Sequence, residues 1–412
     1  MIFAGAGVST EARGVFNVTL YEDVKRELKI ARNKIIGFSD LMSLYCERKS
    51  RRMLLHKIKN RFDYMKLFPE VYRDASRFHV ELSTIPYVEE IITTNWDDLF
   101  ERECDATPIV TPDDFAAFSD ITGRKVFKLH GSVTNYGSIV VTTKDYQVCY
   151  RRLRTGVIGS VLRVLLASKT VVFVGYSFQD EDFSRIYRLL SREVKQLLPV
   201  SYVVTLDKNA KETLASLKMN VTPIITDATF FLESLKAELV KQQLMLPDER
   251  YIGLRAAYLE VGKAHDEIFG IDLRSHPENL FSLVYQDGLM HGLEDVMGNR
   301  KSGRFSDGHK LMHMIESYEI LRKRYLAAGN YKEVAYIEGF INGLLCFLSS
   351  EKRTPKLPLY YLFGCGDITT LREYKRLAKH APSLHKSSYS LAAKMASYIH
   401  TKGVSFHHKP FL

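Results

Sequence analysis

The sequence predicts an α/β fold over residues 1–240, a parallel sheet covered by helices, followed by a C-terminal mainly α-helical domain over residues 249–412. Three observations predict it. Short β-branched runs alternate with longer amphipathic stretches through the first half, the pattern of repeated βαβ units. These runs are mostly apolar, as suits strands buried on both faces. After about residue 240 the strand signals stop, and apolar residues recur at threes and fours.

The candidate strands are residues 2–4, 91–94, 126–129, 171–174, 202–206 and 221–225. Between the first two, Val24, Leu28, Ala31 and Ile35 are spaced as one helix face. The polar stretch 241–248, where Pro247 offers a stop, is the expected domain boundary. Beyond it, Tyr251, Leu254, Tyr258, Val261, His265 and Ile268 form one helical stripe, and Leu311, Met314, Tyr318, Leu321 and Tyr325 a second. Gly329 and Asn330 break the pattern before Val334, Ile337, Ile341, Leu344 and Leu348 resume it, which reads as a helical hairpin. The first strand is shorter than the usual five or six residues, with a glycine motif only four positions from Met1. That shortness raises the expectation of a native start upstream.

A chain of 412 residues with 46% hydrophobic and 26% charged residues has the composition of a globular protein of two domains and excludes disorder as the default. There is no apolar run of about 18 residues and no secretory leader pattern, so no membrane association and a cytoplasmic location are expected. Cys46, Cys104, Cys149, Cys346 and Cys365 are scattered singly, which excludes a disulfide framework or a paired-cysteine metal knuckle and predicts buried free thiols. Of the formal net charge of +10, much sits at the end of the chain. From residue 372 onward there are eight Lys/Arg against one acid, Glu373. Such a run fits nucleic acid, an acidic partner or a solvated surface, and nucleic acid is not the favoured reading.

Four motifs carry the chemistry, three of them at or just after the C-terminal end of a predicted strand, where open α/β sheets bind ligands. Gly5-Ala6-Gly7-Val8-Ser9 lets backbone approach a pyrophosphate ahead of a following helix N-terminus, or makes a tight strand-to-helix turn. Thr93-Thr94-Asn95-Trp96-Asp97 pairs an amide with a carboxylate, suited to a carboxamide and a ribose, or equally to a helix cap. Lys128-Leu129-His130-Gly131-Ser132 sets an imidazole where the chain leaves the sheet, able to take a proton from a ribose hydroxyl or from water. Gly175-Tyr176-Ser177-Phe178 again combines a small residue and a hydroxyl at a strand end, and Asp180, Glu181 and Asp182 after it suit the start of a helix.

In this order, the four motifs resemble those of the Sir2 (sirtuin) family over roughly residues 1–230. The resemblance implies a Rossmann-like parallel sheet of Sir2 type with NAD as the bound molecule. Gly5, Ala6, Gly7 and Ser9 would face the dinucleotide, and Asn95 and Asp97 the nicotinamide and its ribose. His130 would be the catalytic base, while Gly175 and Ser177 would line the adenosine half.

The departures redirect that reading. Sirtuin deacylases typically carry a four-cysteine zinc module after the histidine, yet residues 133–170 contain only Cys149, so no metal is expected there. The Pro-Asp-Phe-Arg element is replaced by Glu-Ala-Arg-Gly-Val-Phe-Asn at 11–17, and Thr94 stands where deacylases usually have glutamine. The TTNWD and LHGS motifs and the segment 139–146 are instead similar to the bacterial Sir2-like branch of NAD-consuming antiphage effectors. That resemblance implies an NAD+ hydrolase, with NAD as substrate, Asn95 and His130 as catalytic residues, and Asp97 holding the carboxamide. Constant NAD destruction would need restraint, which points to a homo-oligomer or a second, infection-sensing defence protein docked on the helical half. Two other readings stay open: an NAD-dependent protein deacylase, and a non-catalytic NAD or ADP-ribose sensor.

Overall fold

The computed structural model describes residues 1–10, 12, 14–31, 33–176, 181–191, 199–216, 221–349 and 357–410. The chain divides into two compact units, Met1–Glu238 and Leu239–Leu412.

Among the described residues of the first unit, seven strands form one sheet: β1 (Ile2–Ala4), β2 (Glu90–Thr93), β3 (Thr107–Ile109), β4 (Lys125–Lys128), β5 (Val171–Val174), β6 (Ser201–Thr205) and β7 (Thr222–Ile225). Every pairing is parallel, in the order β3-β4-β2-β1-β5-β6-β7. This is the parallel α/β sheet that the apolar runs predict, of the Rossmann-like kind that the resemblance implies. Although only three residues long, β1 lies at the centre, pairing Phe3 with Ile92 of β2 and with Phe173 of β5. Its three side chains are almost wholly buried, because helices cover both faces.

Two differences from the sequence expectation have local causes. The strand β3, with sequence Thr-Pro-Ile, escapes a search for β-branched runs because proline interrupts it. Both edge strands carry a proline, Pro108 and Pro223, where no outer neighbour needs the missing N–H. The helix through Val24 and Leu28 stops early: it spans Leu20–Glu27, and Ala31 and Ile35 are exposed rather than part of its buried face. Lys29 turns left-handed (φ 54°), and the Ile30 N–H donates back to the Lys25 carbonyl at 3.0 Å, a bond pattern that closes a helix end.

The second unit is helical. Its longest members are Leu254–Phe269, Asn279–Gly298, Gly308–Ala327, Tyr331–Ser349 and Lys386–Lys402. The expected hairpin is present, with Gly329 at φ 73° and the Asn330 N–H donating to the Tyr325 carbonyl at 2.9 Å. The helix Asn279–Gly298 is buried on nearly every side, so it shows no amphipathic stripe in the sequence. It crosses Tyr331–Ser349 at backbone contact: a Cβ on Gly288 would stand 2.0 Å from the Tyr336 carbonyl oxygen. Among the described residues, no helix is long and apolar enough to cross a membrane.

Candidate active site

The carboxyl ends of β1, β2, β4, β5, β6 and β7 open on one crevice of about 2020 Å³. A parallel sheet brings them together because all its strands point the same way. From β1 the chain passes to β2 on one side and later to β5 on the other, so the crevice straddles the point where strand order reverses. Ala6, Gly7, Thr94, Asn95, His130 and Gly175 all stand on its wall, one or two from each predicted motif.

The glycines are required first by each other. The Gly5 N–H donates to the Val174 carbonyl at 2.9 Å, and the Gly7 N–H to the Gly175 carbonyl at 3.0 Å. A Cβ on Gly5 would lie 2.7 Å from the Gly175 oxygen, and one on Gly175, whose φ is 69°, 2.8 Å from the Gly5 oxygen. Among the described residues the motif itself folds as a single 3₁₀ turn, Ala6–Val8. The helix expected there begins at Leu20, where Thr19 and Glu22 cap it reciprocally. Tyr176 locks the turn from the opposite strand, donating to the Ala4 carbonyl at 3.0 Å and sharing a hydrogen bond with Thr94 Oγ1 at 3.1 Å.

Asn95 is 5% exposed and held in one orientation. A carbonyl only accepts, so Nδ2 must be the atom that faces the Gly5 oxygen at 3.1 Å, and it also reaches Ser9 Oγ at 3.2 Å. That leaves Oδ1, enclosed and without a hydrogen bond among the described residues. Ser9 in turn donates to Asp97 Oδ2 at 2.8 Å, and Asp97 Oδ1 accepts the Leu99 N–H at 3.2 Å. Ser9 and Asp97, expected to face a dinucleotide, thus face one another; they and Gly5 lie behind the crevice wall rather than on it.

His130 leaves β4 through Gly131, whose φ of 83° turns the chain back so that the Val140 N–H reaches the His130 carbonyl at 2.9 Å. The imidazole meets the Tyr146 ring edge-on at 5.1 Å, and both side chains border the crevice. Lys128, one of the largest fully buried side chains, ties this loop to the one after β2. Its ammonium donates to the Asp97 carbonyl and, at 2.9 Å, to Glu101 Oε1. Burial pushes the Glu101 carboxyl up, with the Lys128 charge opposing.

Sequence reasoning passed over Lys128, Glu101 and Tyr176 as functional residues. The one available signal was a lysine inside an apolar strand. It also missed Arg185, whose guanidinium lies 4.1 Å from the centre of the Tyr150 ring on the same wall. Ser177, Phe178 and Asp180 lie outside the described residues, as do the side chains of Glu181 and Asp182. Cys149 is buried with Sγ donating to the Leu129 carbonyl at 3.4 Å, consistent with an inert thiol.

Residues 89–224 match the model of the SIR2-like domain family. The chain is also similar to the NAD(+) hydrolase ThsA of Enterococcus faecium, 30% identical over 191 residues, covering 45% of this chain and 38% of that protein. The NAD(+) hydrolase ThsA of Cytobacillus dafuensis is 27% identical over 190 residues, covering 45% and 36%. That of Bacillus cereus (strain MSX-D12) is 28% identical over 193 residues, covering 45% and 38%. The chain therefore spans less than two fifths of the length of these relatives.

Proposed function

We propose that this chain, which carries a SIR2-like domain in its N-terminal unit, hydrolyses NAD+ to nicotinamide and ADP-ribose. The observation that carries the reading is Asn95. Its amide nitrogen is committed to Gly5 and Ser9, so its enclosed Oδ1 is, among the described residues, an unbonded acceptor of fixed direction, on a residue that lines the same crevice as His130. An acceptor so placed orients a ribose hydroxyl or the attacking water. His130 then removes a proton from that group as the bond to nicotinamide breaks, an effect worth about 10²–10⁴-fold in rate. The bond is labile because its leaving group is cationic, and the enclosed site favours the oxocarbenium-like sugar by fixed dipoles. Asp97 acts through Ser9, holding Asn95 rather than the carboxamide. Gly7, Ala6 and Gly175 form the floor along which the dinucleotide lies.

The curated relatives named NAD(+) hydrolase support this activity, and the sequence resemblance to bacterial antiphage effectors supports an NAD-depleting role in defence, in the cytoplasm. In this reading the helical unit restrains the enzyme by self-association or by docking a sensor of infection. Deacylation is the weaker alternative, since the zinc module has no counterpart in the cysteines of 133–170.

The test is incubation of the full-length protein with NAD+ and no peptide, with and without the products of neighbouring genes, resolving nicotinamide and ADP-ribose by chromatography. Nicotinamide release without peptide, abolished in Asn95→Ala and in His130→Ala, is expected. Full turnover in both variants defeats the residue assignment, and dependence on an acyl-lysine peptide defeats hydrolysis. Binding of NAD+ with no turnover under any condition would favour the sensor reading.

A further inference from the structure

We propose that His265, Asp287 and His407, all in the C-terminal unit, form a binding site for one transition-metal dication of the zinc class. The three come from distant parts of the chain, so no metal-ligand spacing marks them in the sequence. The helix Leu254–Phe269 carries His265 beside the buried Val261, Ala264 and Ile268. The helix Asn279–Gly298, enclosed by apolar neighbours, nevertheless carries Asp287, only 6% exposed. His407 arrives from the segment after the last helix. One ligand atom from each residue lies within 4.8 Å of both others.

The polar atoms in this cluster are not fully served by protein alone. Asp287 interacts with His407 Nδ1 at 3.0 Å through Oδ1 and accepts the His408 N–H at 2.8 Å through Oδ2. The His265 ring stacks on Phe269 at 5.2 Å and on His407 at 5.5 Å. Its Nε2 is enclosed and makes no hydrogen bond among the described residues. An imidazole with an enclosed, unbonded nitrogen, in one cluster with a buried carboxylate, calls for an explanation, and a cation drawing lone pairs from both residues supplies one.

The donor set selects the class of ion. Two imidazoles and one carboxylate suit zinc, cobalt, nickel or copper, whereas calcium and magnesium favour all-oxygen sets. Bonds of about 2.0–2.2 Å in a tetrahedral site put ligand atoms roughly 3.4 Å apart. Closing on the ion therefore needs a shift of at most roughly 1.4 Å in any pair, and the His407 side chain, 38% exposed, can rotate to provide it. The fourth position would face solvent beside His407. Occupancy would tie residues 404–410 to the two helices.

A charged pair of Asp287 and His407 explains part of the same geometry but leaves His265 Nε2 idle. The variants separate the two accounts. His265→Phe keeps an aromatic stack and removes the nitrogen; His407→Ala removes a ligand from the half-exposed end of the site. The full-length protein is stripped with chelator, desalted, and titrated with Zn²⁺ by calorimetry and with Co²⁺ by visible absorption, and circular dichroism checks that each variant is folded. The expected result is binding near one equivalent, a tetrahedral Co²⁺ spectrum, and affinity weakened at least about tenfold in both variants. Zn²⁺ should also raise the unfolding temperature of the parent chain more than that of His407→Ala. Absence of stoichiometric binding, or equal affinity in the parent and both variants, overturns the site.

Discussion

Ser9 donates its hydroxyl proton to the Asp97 carboxylate at 2.8 Å, joining the turn after β1 to the loop after β2 across 88 positions of sequence. The same oxygen accepts from Asn95 Nδ2, so a buried carboxylate fixes the direction of a crevice-wall amide through one hydroxyl. Ser9→Ala removes that relay and takes a donor from a buried acid. The expected loss is about 1–3 kcal/mol of stability, measured by urea unfolding, with NAD+ turnover falling more than NAD+ binding. Unchanged stability and turnover would count against the relay.

Gly175→Ala tests whether the two glycine turns need one another. The residue is left-handed and a Cβ there would meet the Gly5 oxygen at 2.8 Å, so strain of about 1–3 kcal/mol is expected, with loss of NAD+ binding. Gly123→Ala, where a Cβ meets nothing within 4 Å, is the matched control. Comparable thermal unfolding of the two variants would refute the argument.

Lys128→Met strands Glu101 in a site that already disfavours its charge. Removing one partner of a buried pair costs about 3–5 kcal/mol, and adding Glu101→Gln should return part of it. The remainder belongs to the lost bond to the Asp97 carbonyl. Strict additivity of the two substitutions in a double-mutant cycle would show that the pair is uncoupled.

His79 predicts a specific acid sensitivity. It is fully buried, edge-on to Phe100 at 4.4 Å, and burial lowers its pKa from the ordinary 6.5 to about 4. As pH falls below 6.5, the unfolded chain takes up a proton that the folded chain refuses, so stability declines until about pH 4 and then levels. The full effect is on the order of 3 kcal/mol. His79→Leu should flatten this part of the profile between pH 7 and pH 4.5; an identical slope in parent and variant would remove the assignment.

The sequence by itself determined the parallel sheet, the helical second half, and which strand ends meet at the crevice. Apolar runs of strand length can be satisfied only by burial on both faces, and motifs at the ends of parallel strands must meet at one edge. Ala6, Gly7, Asn95, His130 and Gly175 were legible on the wall for that reason. Tertiary structure alone decided what each side chain faces. Ser9 and Asp97 share motifs with wall residues, yet a hydrogen bond between them turns both inward. The early end of the helix at Glu27 depends on one left-handed residue, Lys29, whose backbone no hydrophobic period reports. Lys128 with Glu101, and His265 with Asp287 and His407, become neighbours only when distant segments pack. Periodicity encodes which face of an element is buried; it carries no information about which polar atoms meet once that face is closed.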